Sequence, residues 1–478
     1  MIGPPRLKTT FRRGAHGDGP EPGTSIRTPL TDNTPSMAQH LRQTIRIGAP
    51  VVVSRAGFVG LVVVDTVMSG RASADELAYF SIASGPQLFL MMLGIGLLRG
   101  APVLTAQAHG AGDARQIGIL WRVITLHGLL LSALLVPVAV LGEPLLLMLG
   151  QSPELAEGGG RVMAIFGASL PFYLVWVSLV NLLEGLGRTI PAMVITTAGV
   201  VANIGVNWIF VFGHWGAPAM GAEGAQLATT IVRGVMMIVI LIYVFSHPGF
   251  RQFALIGPIR GLWQQGKTLR RLGYPMGLAT GFEALAFAAM TILAGLLGKA
   301  SLAAFQTANS LTSLVFMVAI GVGAGTAVRV AQAVGRDDRQ SVILSAWSGT
   351  GLAALVMAIV GLVFIVAPES MARLYVSEDH VIALAAPVFQ VAGGLLVFHG
   401  AQTVLMAALR GIGDVWVPTA IQFVGGWILM LPIGAALAFT LNLGASGLMS
   451  GLFVGTVFVA AALVWRFLAM SRGDFIRL

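Results

Sequence analysis

Long apolar segments are the feature that most constrains what this chain can fold into. A helix rises about 1.5 Å per residue, so roughly 20 residues cross the ~30 Å hydrocarbon core of a bilayer. Twelve windows of this length can be placed between residues 47 and 468. Only 10% of the residues are charged, where soluble domains carry about 25%. The sequence therefore predicts an all-α integral membrane protein with twelve transmembrane helices.

The loop charges predict the orientation of these helices. Arg and Lys concentrate in alternate loops and in both terminal segments, which by the positive-inside rule places both termini in the cytoplasm. Residues 1–43 are polar and rich in Pro and Gly, which is typical of a disordered cytoplasmic tail. The net charge of +9 is spread over short loops, so we expect no nucleic-acid partner. We expect a multi-pass protein of a bacterial inner membrane, with the lipid bilayer as its surroundings.

The two halves of the chain repeat each other. "IGLLRGAPVLTAQAHG" (Ile95–Gly110) aligns without a gap with "IGVGAGTAVRVAQAVG" (Ile320–Gly335), and both contain the motif AQAxG. With a shift of one further position, "LEGLG" (Leu183–Gly187) aligns with "LRGIG" (Leu409–Gly413). These matches indicate two copies of one structural unit.

The repeat predicts how the chain divides. Residues 44–246 form a first lobe of six helices, residues 247–271 a cytoplasmic linker, and residues 272–478 a second lobe of six helices. Six is an even number, so the two copies have the same orientation. The lobes should then be related by a pseudo-twofold axis along the membrane normal, with a central cavity suited to alternating access.

A few polar residues interrupt the apolar spans. Asp65 in the first span and Glu283 in the seventh are the clear carboxylates, and a charge in hydrocarbon is costly enough to suggest a function. Asn203 and Asn207 lie one turn apart on the fifth helix, near the expected depth of Asp65. A carboxylate flanked by amides can bind a proton, a small hard cation or a cationic substrate. His399 is a candidate neighbour of Glu283, and together they could carry a proton.

Each of these residues also has a structural interpretation. Asp65 could cap a helix or meet water near a membrane boundary, and the two Asn residues could provide hydrogen bonds between helices. His399 could be a neutral core residue. The sequence leaves open whether Arg55 extends to the inner surface or neutralises a carboxylate.

Several motifs in order resemble one known family. They are "PVVVSRAGFVGLVVVDTVMSG" in the first span, "GLGRTIP" and "NIGVN" around the fifth, "FEALAF" in the seventh, "AAFQTANSLTSLVFM" in the eighth and "AALRGIGD" after the tenth. In this order the chain resembles the multidrug and toxic compound extrusion (MATE) family, nearest its NorM-like branch. The resemblance implies a V-shaped secondary-active multidrug efflux antiporter that exports organic cations in exchange for H⁺ or Na⁺. It implies no enzyme activity and no cofactor, and we expect a monomer.

The resemblance also implies site residues. By position Asp65, Asn203 and Asn207 match the family's cation site in the first lobe, with Thr229 as a looser match, and Glu283 matches the site in the second lobe. Na⁺ could bind at either place, although no metal site is certain. Where the family has an acidic residue beside this Glu, the chain has His399. An imidazole is a poor ligand for a hard alkali cation, so H⁺ is favoured as the coupling ion.

The sequence also bears on three alternative functions. A lipid or lipid-linked saccharide flippase of the same superfamily needs several basic residues in the cavity, for which Arg55 and Arg233 are the candidates. A membrane enzyme needs clustered His and carboxylates, and the sequence has no such cluster. A channel would not transport against a gradient. The sequence contains no GxxxxGK[ST] motif, which argues against pumping driven by ATP.

Overall fold

The described part of the chain contains twelve helices long and apolar enough to cross a membrane. In this computed structural model it comprises residues 37–376, 378–473, 475 and 478. The all-helical fold with twelve spans is confirmed. Of the predicted tail, residues 37–43 belong to the first helix, and residues 1–36 lie outside the described residues.

The first half provides six spans, and the second of them consists of two consecutive helices. The helices of this half are α1 (Met37–Ala72), α2 (Ala74–Leu98), α3 (Ala101–Gly110), α4 (Ala114–Val140), α5 (Gly142–Met148), α6 (Pro153–Gly185), α7 (Ile190–Phe212) and α8 (Gly221–Ser246).

The second half follows a connecting segment and provides the other six spans. The helices from the connection onward are α9 (Leu262–Gln265), α10 (Lys267–Leu296), α11 (Lys299–Gly335), α12 (Arg339–Val366), α13 (Pro368–Arg373), α14 (Asp379–Ile412), α15 (Trp416–Phe423), α16 (Leu431–Ala435) and α17 (Gly444–Ser471). The π-helical segment Val424–Met430 joins α15 to α16, and a second one, Ala436–Thr440, continues α16 to the end of the same span.

Helix ends follow the sequence repeat. Asp113 and Asp338, which occupy equivalent positions in the repeat, are N-caps of α4 and α12, and each carboxylate accepts a hydrogen bond from the backbone N–H three residues later. Gly187 and Gly413, another equivalent pair, adopt left-handed backbone conformations with φ of 73° and 97°. Glycine accepts this conformation without a steric penalty, so the chain turns at equivalent points in both halves.

The connecting segment packs on the first half. A 3₁₀ helix, Pro248–Phe253, buries two aromatic side chains in the core of that half. Further along, the His127 ring of α4 stacks on Trp263 at 5.2 Å, and His127 Nε2 is 2.9 Å from an Arg270 guanidinium nitrogen. Arg270 also lies over the Trp263 ring at 4.0 Å. The predicted linker is therefore held to α4 by side-chain contacts.

The halves approach closely where glycines meet. A Cβ atom at Gly48 of α1 would lie 2.6 Å from the carbonyl oxygen of Gly321 in α11. A Cβ atom at Gly273 of α10 would lie 2.2 Å from the carbonyl oxygen of Leu97 in α2. Small residues allow such backbone approach in membrane proteins, where dispersion contacts rather than hydrophobic burial hold helices together.

The two AQAxG motifs cross each other at this interface. Gln107 Nε2 donates to the carbonyl oxygen of Gly411 at 3.0 Å, and Gln332 Nε2 donates to that of Gly185 at 3.1 Å. The two glutamines are equivalent in the sequence repeat, and so are their two acceptors, so the second bond is the symmetry equivalent of the first. We call this pair of hydrogen bonds the glutamine latch. It assigns a structural role to the repeated AQAxG motifs.

Candidate functional site

Three helices of the first half converge on Asp65, whose side chain is 2% exposed. Asp65 lies on α1, Asn203 and Asn207 lie on α7, and Thr229 lies on α8, and all are buried. The 3.6-residue helical repeat places Asn203 and Asn207 on the same face of α7. The structure therefore brings together the four residues that the sequence associated with this half.

Hydrogen bonds define the geometry of this cluster. Asn207 Nδ2 donates to Asp65 Oδ1 at 2.9 Å, and Thr229 Oγ1 donates to Asp65 Oδ2 at 2.5 Å. Asn203 Nδ2 in turn donates to Thr229 Oγ1 at 2.9 Å. Each carboxylate oxygen thus has a donor from a different helix, which ties α1 to α7 and α8. Hydrogen bonds to a charged group contribute about 1.5–3 kcal/mol each.

Two acceptors in the cluster have no partner among the residues that the structure describes. The amide oxygens of Asn203 and Asn207 are buried and accept no hydrogen bond within the described residues. A buried polar atom without a partner costs free energy, and a water molecule or a cation can supply that partner. With the Asp65 carboxylate, these oxygens are the donor type that hard cations prefer. No group of three or more His, Cys, Asp or Glu residues fit for a metal occurs in the described part of the chain.

Arg233 places a fixed positive charge near this cluster. It lies one turn after Thr229 on α8, is 4% exposed, and donates to Ser169 Oγ at 2.9 Å. Its guanidinium lies over the rings of Phe166 and Tyr173, at 5.8 and 5.1 Å from their centroids. The suggestion that Arg233 faces a central cavity is wrong, because these contacts hold it inside the first half.

A cavity of about 330 Å³ lies between the two halves. It is bordered by α1, α6 and the α2–α3 junction on one side and by α10, α11 and α14 on the other. Five ionisable side chains line it, namely Arg55, Arg99, Glu184, Glu283 and Arg410. Apolar side chains such as Ile95, Met276 and Phe316 complete its wall, so the cavity combines charged groups with apolar surface.

Glu283 and His399 border a shared recess beside this cavity but form no hydrogen bond with each other in the described structure. The His399 ring is buried and stacks on Phe316 at 4.0 Å, and its Nδ1 has no hydrogen-bond partner within the described residues. Glu283 faces the cavity between the halves as well. Proton exchange between Glu283 and His399 would require a bridging group, or a movement of one side chain toward the other.

Three charged residues of the cavity were missed or misplaced by sequence reasoning. The sequence patterns singled out none of Arg99, Arg410 and Glu184 as cavity residues. Arg55 lies 3.7 Å from Glu184, which answers the open question of its role in favour of a carboxylate partner. The LEGLG and LRGIG alignment was the available signal, because it places Glu184 and Arg410 at equivalent positions with opposite charge.

Twelve spans in two repeated halves around a charged central cavity define a membrane transporter. The MatE family model matches residues 50–209 and 275–436. The chain is 30% identical over 468 residues to the probable multidrug resistance protein NorM of Caulobacter vibrioides, covering 98% of each chain. It is 33% identical over 447 residues to the protein of the same name from Mesorhizobium japonicum, covering 91% of this chain and 95% of the relative.

A solved structure described as MATE in the bent conformation has the same fold. It superposes with a TM-score of 0.82 at 18% identity and covers 92% of this chain and 98% of its own. The chain belongs to the MatE family, and it is a transporter rather than an enzyme. The resemblance predicted from the sequence motifs is confirmed.

Proposed function

We propose that this protein is a secondary-active multidrug efflux antiporter that exports organic cations in exchange for H⁺ or Na⁺. The relatives named as multidrug resistance proteins support efflux of many compounds. The observation that supports antiport is the burial of the Asp65 carboxylate within a membrane span. Asn207 and Thr229, from two other helices, donate hydrogen bonds to it. Such a group is retained in an apolar interior where binding and release of a cation serve transport.

Coupling follows from competition at the two carboxylates. Asp65 and Glu283 can each be neutralised by one positive charge, supplied by a proton, a metal cation or the substrate. Binding of the coupling ion removes the attraction for a cationic substrate, and release of the ion restores it. The ion gradient thereby supplies the work of export.

The proton is the coupling ion that fits this site best. Arg233, one turn from Thr229, already contributes a fixed cation beside Asp65. Na⁺ and a proton would each add one positive charge here, but Na⁺ needs several oxygen ligands, whereas a proton bonds to a single carboxylate oxygen. Both Asp65 oxygens already accept hydrogen bonds from Asn207 and Thr229, and these donors compete with a metal cation. In the second half, His399 replaces a second carboxylate near Glu283, which again favours H⁺.

The geometry of the halves fits a state closed toward the cytoplasm. The close glycine contacts and the glutamine latch lie at the ends of the helices that the loop charges assign to the cytoplasmic side. We propose that the protein resides in the bacterial inner membrane as a monomer with both termini in the cytoplasm. Substrate would leave the cavity on the opposite side.

Transport into proteoliposomes of a fluorescent organic cation, under a pure pH gradient or a pure Na⁺ gradient, tests this proposal. Asp65→Asn and Glu283→Gln should each reduce gradient-driven transport by about tenfold or more, because each removes a carboxylate whose charge-assisted contact with the coupling ion or the substrate is worth about 1.5–3 kcal/mol. Glu369→Gln, an exposed carboxylate on α13, is the matched control and should transport normally. Undiminished gradient-driven transport by the Asp65→Asn and Glu283→Gln double variant would refute the role of these carboxylates.

A lipid or lipid-linked saccharide flippase is the second candidate, and one observation favours it. Sequence reasoning expected few basic residues in the cavity, but Arg55, Arg99 and Arg410 all line it. Guanidinium groups bind phosphate well. Translocation of a fluorescent phospholipid in the same proteoliposomes, independent of any ion gradient, would support this alternative over the antiporter.

A further inference from the structure

The connecting segment between α8 and α10, residues 247–266, has two apolar faces. Phe253, Leu255 and Leu262 are buried in the core of the first half. Ile256 and Ile259, which alternate with them along the chain, are 82% and 71% exposed. The buried side chains hold the segment on the protein, so the face that carries the two isoleucines points away from the core.

The contacts of the connecting segment with α4 place it at the inner boundary of the bilayer. α4 has 27 residues and is about 40 Å long, which exceeds the ~30 Å hydrocarbon core by about 10 Å. Counting about 20 residues back from its outer end puts the inner boundary of the hydrocarbon near Leu120. The segment contacts α4 on both sides of that level. A Cβ atom at Gly118 would collide with the carbonyl oxygen of Phe253, and Arg122 Nη1 donates to the carbonyl oxygen of Pro258 at 3.2 Å.

The charge around this exposed face is exclusively positive. From residue 224 to residue 282 the sequence contains no Asp or Glu. Four exposed basic side chains lie in the connecting segment or in the first two turns of α10, and none has an ion-pair partner within the described residues; they are Arg251, Arg260, Lys267 and Arg271. Lys267 and Arg271 are one helical turn apart, so they share a face of α10. The surface is therefore complementary to a partner with negative charge.

We propose that the connecting segment binds anionic phospholipids of the inner leaflet. Ile256 and Ile259 lie at the boundary between the headgroups and the acyl chains, and the basic side chains contact the lipid phosphates. Segments that bind a membrane surface combine apolar side chains, which leave water on binding, with Lys and Arg that are attracted to anionic lipid. The face lies level with the headgroups, so the bilayer is the partner that reaches it.

Anionic lipid fits this surface better than neutral lipid. Each Lys or Arg close to an anionic membrane strengthens the attraction about fivefold, and four such side chains are available here. A neutral lipid surface offers the apolar contact without this attraction. The electrostatic part must weaken with salt, because the screening length falls from about 8 Å at physiological ionic strength to about 3 Å at about 1 M.

Power saturation of a spin label at Ile259→Cys tests the lipid contact. The chain has no Cys, so the label attaches only at the introduced position. The full-length protein is reconstituted in vesicles of phosphatidylcholine, alone or mixed with phosphatidylglycerol. Oxygen, which concentrates in lipid, and a neutral water-soluble nickel chelate serve as relaxation agents. We expect phosphatidylglycerol to raise the ratio of oxygen to chelate collisions at Ile259→Cys. At Gln340→Cys, an exposed position in the first turn of α12, the chelate should dominate in both kinds of vesicle.

Charge variants then assign the effect to the basic side chains. Arg260→Gln, Lys267→Gln and Arg271→Gln, combined in the labelled Ile259→Cys protein, should raise the phosphatidylglycerol fraction needed for half of the change at least about fivefold. Arg336→Gln, which removes an exposed arginine from a different inner loop, is the matched control and should leave that fraction unchanged. Replacing Arg260 and Arg271 by Lys, which retains both charges, should preserve the response. An unchanged label spectrum at position 340 shows that each variant is folded.

Three outcomes would overturn the proposal. The first is a label at Ile259→Cys that the chelate reaches as readily as it reaches position 340 in every vesicle. The second is an oxygen-rich environment that is the same with and without phosphatidylglycerol, which would assign the face to neutral lipid or to another part of the protein. The third is the same response to soluble glycerol phosphate in phosphatidylcholine vesicles, which would assign the basic side chains to a soluble anion. None of these measurements depends on transport, so they are independent of the antiporter proposal.

Discussion

The glutamine latch predicts a measurable shift in the equilibrium between conformations. Gln332 donates one hydrogen bond across the interface, to Gly185, and Gln107 donates the equivalent bond to Gly411. Replacing Gln332 by Leu leaves the carbonyl oxygen of Gly185 without this donor while retaining a side chain of similar size. We expect the state closed at this end to lose stability relative to the state open there.

The magnitude follows from the geometry. A neutral hydrogen bond contributes about 0.5–1.5 kcal/mol net, and a buried acceptor left without a partner costs about 1–3 kcal/mol. The closed state of Gln332→Leu should thus be destabilised by about 1–3 kcal/mol, a change of about 5- to 150-fold in the equilibrium constant. Gln107→Leu should have the larger effect, because Gln107 is 1% exposed and also accepts a hydrogen bond from the backbone N–H of Leu478 at 2.9 Å.

Electron–electron distance measurements between two spin labels can detect this shift. The chain contains no Cys, so labels attach only at introduced positions. Gln116 and Gln340 are exposed in the first turns of α4 and α12, one in each half. We expect Gln332→Leu to add a population at longer distances, and the exposed linker variant Gln264→Leu to leave the distribution unchanged. If the double variant Gln107→Leu and Gln332→Leu gives the same distance distribution as wild type, the glutamine latch does not stabilise the closed state.

Two further predictions concern backbone approach and the connecting segment. Gly273→Ala would place its Cβ atom 2.2 Å from the carbonyl oxygen of Leu97, so the halves must separate there, and we expect transport to fall at least about tenfold with the spin-label distances increased. Trp263→Ala removes the ring that stacks on His127 and lies under Arg270, so limited trypsin digestion should cut the connecting segment several times faster than in wild type. Unchanged transport by Gly273→Ala would show that the close backbone approach is not required. An unchanged cleavage rate for Trp263→Ala would show that the ring does not hold the connecting segment in place.

The sequence by itself determined the architecture of this protein. Hydropathy is a local property, and a helix in lipid must satisfy its own backbone hydrogen bonds, so twelve apolar segments specify twelve helices without further information. Periodicity placed Asn203 and Asn207 on one face of α7. The repeat of AQAxG and of LEGLG with LRGIG predicted two equivalent halves, and the equivalent caps at Asp113 and Asp338 follow from it.

Only the tertiary structure decided which charged residues meet. Arg99 and Arg410 lie near predicted ends of spans, where a basic residue ordinarily extends to the membrane surface, and the position of a residue along its helix does not reveal the face that a neighbouring helix covers. Packing of the two halves turned both toward a shared cavity with Glu283. Packing within each half kept Arg233 inside the first half and left His399 stacked on Phe316 instead of bonded to Glu283. Contacts between distant segments depend on how whole helices pack, and local sequence patterns do not encode that arrangement.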